Sequence, residues 1–164
     1  MTNYSWELGF DWNALADPSL GDNICYLQHG LVNIDTLRLS PSVNLKNGDI
    51  IRFTIFDVTS GAPTTGKSSY RIASGSVISF RAAVANQGAS PFSTRSVDIP
   101  ARDSDTNLAS QAFGLECPTW DQTPSQTISV SSGRYLMSVT LNVTDGTTTK
   151  TYSVDPEMVI GSDG

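Results

Sequence analysis

The residues with the strongest chemical signature are 61–68, Gly-Ala-Pro-Thr-Thr-Gly-Lys-Ser, which match the phosphate-loop pattern G-x-x-x-x-G-K-[ST]. In that chemistry backbone N–H groups cradle phosphates, Lys67 would reach the terminal phosphates and Ser68 would hold Mg²⁺. Such a loop must open a helix, because the helix N-terminus supplies the anion site. Here Ser-Ser-Tyr-Arg-Ile-Ala-Ser-Gly-Ser-Val-Ile-Ser-Phe follows, β-branched and interrupted by Gly75, and no βαβ alternation is found anywhere. The sequence therefore predicts a strand-to-strand loop, with no nucleotide site.

Asp103, Asp105 and Asn107 occupy positions one, three and five of a calcium-loop pattern. Leu108 stands where that loop needs glycine and Gly114 where it needs glutamate, so an EF-hand is excluded. Two readings stay open: a looser calcium site in a sandwich loop, or a cluster of Asx turns. His29 is the sole histidine, and no nucleophile signature accompanies it. A structural role is expected of it. Trp120 and Asp121, beside Pro118 and Gln122, suit a sugar site in which a ring stacks on a pyranose and a carboxylate fixes hydroxyls. The alternative is that Trp120 caps the core. Cys25 and Cys117 are expected as buried free thiols, a disulfide being the other reading.

The elements that must position these groups are strands. The 164 residues hold 22 Ser and 17 Thr against three Lys and three Glu, and thirteen of the sixteen acids are Asp. Thr, Ser, Asp and Gly favour strands and turns, whereas Lys and Glu favour helices. Tyr4, Trp6, Leu8, Phe10 and Trp12 alternate with polar residues, which predicts a strand with one face in a core and one in water. A turn-rich loop follows at 14–23. Segments 24–29 and 31–39 read as short strands broken at Gly30, with a bulge expected near Asp35 or Thr36.

A turn region is expected at 40–49. Residues 49–58 are apolar on both faces and predict a central strand. Further strands are expected at 69–73, 76–85 and 92–99. Residues 100–127 read as an irregular stretch packed on the body, with one helical turn near 106–112. Tyr135 to Val143, Asp145-Gly146 and 147–155 predict a two-residue hairpin in which Val139 faces Tyr152 and Met137 faces Val154. A short last strand is expected at 158–160. The expected fold is all-β, a single-domain antiparallel β-sandwich of about eight to ten strands over residues 1–164.

The formal net charge of −6 and ten scattered basic residues argue against nucleic acid and against anionic membrane surfaces. The first residues carry no basic and apolar leader, and no run reaches the length of a membrane span, so a cytoplasmic protein is expected.

Two stretches, Val-Asn-Leu-Lys-Asn-Gly-Asp-Ile-Ile-Arg-Phe at 43–53 and the C-terminal 128–161 with Tyr152, Asp155 and Pro156, resemble bacterial inclusion-body proteins of the PixA/AidA type. The resemblance implies a cytoplasmic, non-enzymatic β-sandwich with no catalytic residue to carry over. The expected function is accordingly a self-associating or accessory protein. The alternative is a carbohydrate-binding module that uses 100–127, with calcium assisting.

Overall fold

The computed structural model describes residues 1–40, 44–85 and 87–161, and of residues 44 and 122–124 the backbone alone. Every regular element among the described residues is a strand. In chain order they are β1 (Asn3–Phe10), β2 (Ile24–Tyr26), β3 (Gln28–Asn33), β4 (Arg38–Leu39), β5 (Asn44–Leu45), β6 (Ile50–Asp57) and β7 (Arg71–Ile72). There follow β8 (Ser76–Ala82), β9 (Ser96–Ile99), β10 (Thr106–Ala109), β11 (Glu116–Thr127), β12 (Gly133–Thr144), β13 (Thr149–Val154) and β14 (Glu157–Ile160). The all-β sandwich read from the sequence is the fold observed, but with fourteen strands among the described residues instead of eight to ten, and with mixed instead of purely antiparallel sheets.

One sheet runs β10-β11-β6-β1-β3-β4. The other is built around β12, with β13 and β14 along one side, β8 and β7 along the other, and β2, β5 and β9 outside these. Both sheets are mixed, because β1–β6, β13–β2 and β14–β5 pair in parallel.

The core lies between the sheets and follows from alternation. Trp6, Leu8 and Phe10 of β1, Ile51, Phe53 and Ile55 of β6, and Trp120 of β11 meet Met137, Val139 and Leu141 of β12 and Tyr152 of β13. Burying each such side chain stabilises the fold by about 1.5–3 kcal/mol. Aromatic rings bridge the two layers, Phe10 to Tyr152 at 5.7 Å and Phe53 to Phe80 at 6.0 Å. The Tyr152 hydroxyl donates to the Asp11 carbonyl at 2.8 Å, and burial pushes that phenol well above its ordinary pKa.

Several sequence expectations are corrected. The outer face of β1 is not in water: Ser5 and Glu7 are buried, because β1 sits inside its sheet and the turn 110–114 covers it. The expected bulge near Asp35 is a tight turn between β3 and β4, in which Asn33 Oδ1 accepts from the amides of Asp35 and Thr36. Gly30 does not break a strand; β3 runs through it.

Residues 100–127 are not irregular, and their one helical turn lies at 110–114, where the Gly114 amide donates to the Ser110 carbonyl at 3.0 Å, rather than at 106–112, where β10 stands. They form β10, a turn and the twelve-residue β11, which pairs with β6 across the sheet. In the hairpin Val139 faces Val154 and Leu141 faces Tyr152. The shift arises because the loop has four residues, 145–148, closed by the Asp145 carboxylate accepting from the Thr147 and Thr148 amides at 2.8 and 2.7 Å. The turn expected at 40–49 lies partly outside the described residues.

Candidate site in the outer groove

The structure sends the sequence candidates to separate places. Trp120 is fully buried on the core face of β11, its indole Nε1 donating to the Arg102 carbonyl at 3.1 Å, so it offers no ring for a sugar to stack on. The core-capping alternative describes it. Asp103 pairs with Arg71 at 2.6 Å and lies 3.9 Å from Lys67. Asp105 pairs with Arg102 and accepts from the Asp121 amide. Asn107 donates to the Pro63 carbonyl at 2.8 Å. The two carboxylates are thus held by different arginines and the Asn107 amide nitrogen by a third partner, and no cluster among the described residues gathers three or more His, Cys, Asp or Glu in reach of one ion.

The stretch 61–68 links β6 to β7 with no helix after it. Ser68 Oγ donates to Asp57 Oδ2 at 2.5 Å and its amide donates to Ser104 Oγ, which fixes the loop end to the sheet. His29 lies beside Trp6, ring centroids 6.3 Å apart, and desolvation lowers its pKa. Cys25 and Cys117 are buried free thiols on different sheets, β2 and β11; burial, then Asp57 and Glu7, push the Cys117 thiol up to about 12.

A site that alternation in one strand could not reveal lies on the outer face of the six-stranded sheet. Ser5, Glu7 and Gly9 of β1 point there, with Arg52, Thr54 and Phe56 of β6, and Asp121 of β11 beside Thr54. The two margins of the sheet supply the walls: Ile34 and Leu37 from the β3–β4 turn, Leu108 and Ala109 from β10. The groove between them encloses about 170 Å³. A second hollow of about 170 Å³, between Tyr4, Ile50 and Ser125, shares Arg52 and Ile34 with it. Asp121 lines this hollow, while its neighbour Trp120 faces the other way.

One end of the groove is closed by a strap. After β10 the chain turns at 110–114 and lies on the sheet. Glu7 Oε2 accepts from Ser110 Oγ at 2.5 Å and from the Ala112 amide at 3.0 Å. Phe113 packs edge-on against Phe56, centroids 6.1 Å apart. The strap can sit this low because the strands beneath it carry glycine. A Cβ on Gly30 would come within 2.8 Å of the Ala112 Cβ, and one on Gly9 within 2.9 Å of the Phe113 ring.

The floor is polar. The Ser5 and Thr54 hydroxyls, both on buried residues, meet at 3.2 Å, and Thr54 Oγ1 donates to Asp121 Oδ1 at 3.3 Å. Arg52 stands beside Ser5 on the neighbouring strand and makes no ion pair among the described residues. The pairing of β11 with β6 jumps from Gln122 opposite Phe53 to Gln126 opposite Ile51, so Arg52 falls in a bulge. The wall is strained: Leu37 adopts a φ of 54°, a region that favours glycine, and its side chain is 61% exposed. Leu108 opposite and Leu39 beside it are exposed as well.

No family model matches the chain, and no curated protein or solved structure is similar to it. No helix among the described residues is long and apolar enough to cross a membrane.

Proposed function

We propose that the protein is a non-enzymatic accessory protein that works by binding, and that the outer groove of the six-stranded sheet is its binding surface. The observation that carries this reading is Arg52: an exposed cation with no ion pair among the described residues, beside two buried hydroxyls and between apolar walls one of which is held in a strained conformation. The groups that could do chemistry are engaged elsewhere. Glu7 holds the strap, Asp49 accepts from the Thr2 and Lys46 amides, and Asp57 accepts from the Thr59 amide and the Ser68 hydroxyl. Two free buried thiols suit a reducing compartment, which supports a cytoplasmic setting. The resemblance to inclusion-body proteins fits an accessory role. Titrating ¹⁵N-labelled protein with a panel of small anions, saccharides, calcium and Mg-ATP tests the reading. Shifts confined to the amides of Ser5, Arg52, Thr54 and Leu108 are expected. Hits that map elsewhere, or none, would overturn it.

Self-association is a second reading, favoured by the free edge of β10. This strand, Thr-Asn-Leu-Ala, lies at the margin of its sheet without Lys, Pro or bulge to discourage a further strand, and Leu108 on it is exposed. Sedimentation of the wild type and of Leu108→Lys measures it: a concentration-dependent oligomer that the variant abolishes supports the edge, and a monomer at all concentrations removes it.

A further inference from the structure

We propose, resting on the binding role of the groove, that its ligand is a small amphipathic monoanion: a carboxylate seated on Arg52 with a short apolar chain between Leu37 and Leu108. Arg52 lies at the junction of the two hollows, so a head group placed there can send its chain into either. A guanidinium takes a carboxylate through two parallel N–H···O bonds.

The groove also limits the charge of its guest. Glu7 and Asp121 line it, and both already accept internal hydrogen bonds, Glu7 from the strap and Asp121 from Thr54. In a chain of net charge −6 they disfavour a dianion such as a phosphate ester. The walls set the other end of the molecule: Ile34, Leu37 and Leu108 are aliphatic, and the exposed leucines gain by being covered. A cavity of roughly 150 Å³ holds a six-carbon ring, so each hollow suits a guest of about six to ten heavy atoms.

The test is an NMR titration of the ¹⁵N-labelled protein with butanoate, hexanoate and octanoate, and with hexanol, hexylamine and inorganic phosphate as comparators. Affinity is expected to rise roughly threefold to fourfold per methylene until the groove is filled. Hexanol, hexylamine and phosphate are expected to bind at least about tenfold more weakly than hexanoate. Arg52→Met keeps the side chain's length and removes its charge. It should bind hexanoate and hexanol alike, with its melting temperature nearly unchanged because Arg52 has no ion pair among the described residues to lose. Leu108→Ser should weaken hexanoate while keeping the preference over hexanol. Equal binding of acid and alcohol by the wild type, or a preference that survives Arg52→Met, overturns the proposal. If only the comparators move the groove amides, the binding role stands and the carboxylate falls. If no probe moves them, both fall.

Discussion

The carboxylate of Glu7 and the hydroxyl of Ser110, 103 residues apart in sequence, meet at 2.5 Å on the outer face of the sheet. This bond and the Ala112 amide fix the strap over β1 and so close one end of the groove. Glu7→Ala should cost about 3 kcal/mol, because two donors beside a buried site lose a charged acceptor. Glu7→Gln, which still accepts, should cost about 1 kcal/mol. Urea unfolding gives both values, and hydrogen exchange should show the Ala112 amide losing protection in the alanine variant before the sheets do.

Gly30→Ala should destabilise by about 1–3 kcal/mol, the usual cost of overfilling a packed site. The added methyl would meet the Ala112 Cβ at 2.8 Å. Ala112→Gly removes that methyl and should restore much of the loss in the double variant. A double-mutant cycle measures the coupling, expected at about 1 kcal/mol or more.

Leu37→Gly should stabilise the protein by up to about 1 kcal/mol, since glycine tolerates the φ of 54° that leucine adopts under strain. The leucine side chain is mostly exposed, so little burial is lost. The same change should weaken ligand binding in the groove. Chemical denaturation and the hexanoate titration together would show stability and affinity moving in opposite directions.

Trp120→Ala should cost about 3–5 kcal/mol, as expected for removing a fully buried indole. A saccharide, if any binds, should be unaffected when binding is measured on the folded fraction. Calorimetric unfolding checks the first part and an affinity measurement the second.

Stability should fall in acid. Backbone amides of Thr148 and Thr147 hold the Asp145 carboxyl below its usual range, the Ser19 hydroxyl and amide do so for Asp17, and Arg134 does so for Glu157. A group with a depressed folded pKa binds fewer protons folded than unfolded. Its contribution is present above the ordinary carboxylate values of about 4 and is lost as the pH falls through the depressed ones. Desolvated His29, also shifted downward, adds a smaller loss beginning below about 6.5. Melting temperature against pH should therefore be flat near neutrality and decline most steeply below about 4. Asp145→Asn should flatten the acid limb.

The two-sheet core was legible because the period-two pattern in β1, β6, β8 and β12 names its inward residues directly. The hairpin register was not. Pairing Val139 with Tyr152 or with Val154 keeps the same faces together, so alternation cannot separate the two, and the length of the Asp145 loop decides. β11 was hidden because Pro118 and Pro124 interrupt its pattern. Pro118 is tolerated opposite Asn107 of the edge strand β10, and Pro124 falls within the bulge. The groove was hidden for a different reason. Alternation puts Arg52 and Thr54 on the face opposite Ile51 and Phe53, but nothing local says that Leu37 and Leu108 rise on either side of them. Glu7 reads as a solvent residue until the strap that covers it is placed.

The parallel pairing of β1 with β6 also shapes how the chain reaches its native state. The first strand made is an interior strand of the finished sheet, flanked by β3 and β6, and β6 in turn waits for β11. Of the first sheet's described pairings, β1–β3, β1–β6 and β6–β11 join distant stretches of chain and only β3–β4 and β10–β11 are local, which places the protein among slow folders of high contact order, on the millisecond-to-second scale. While the ribosome is still adding β11, the Trp6, Leu8 and Phe10 stripe has no completed partner layer. A nascent chain paused before residue 116 should therefore bind holdase chaperones, and a release past residue 127 should end that binding.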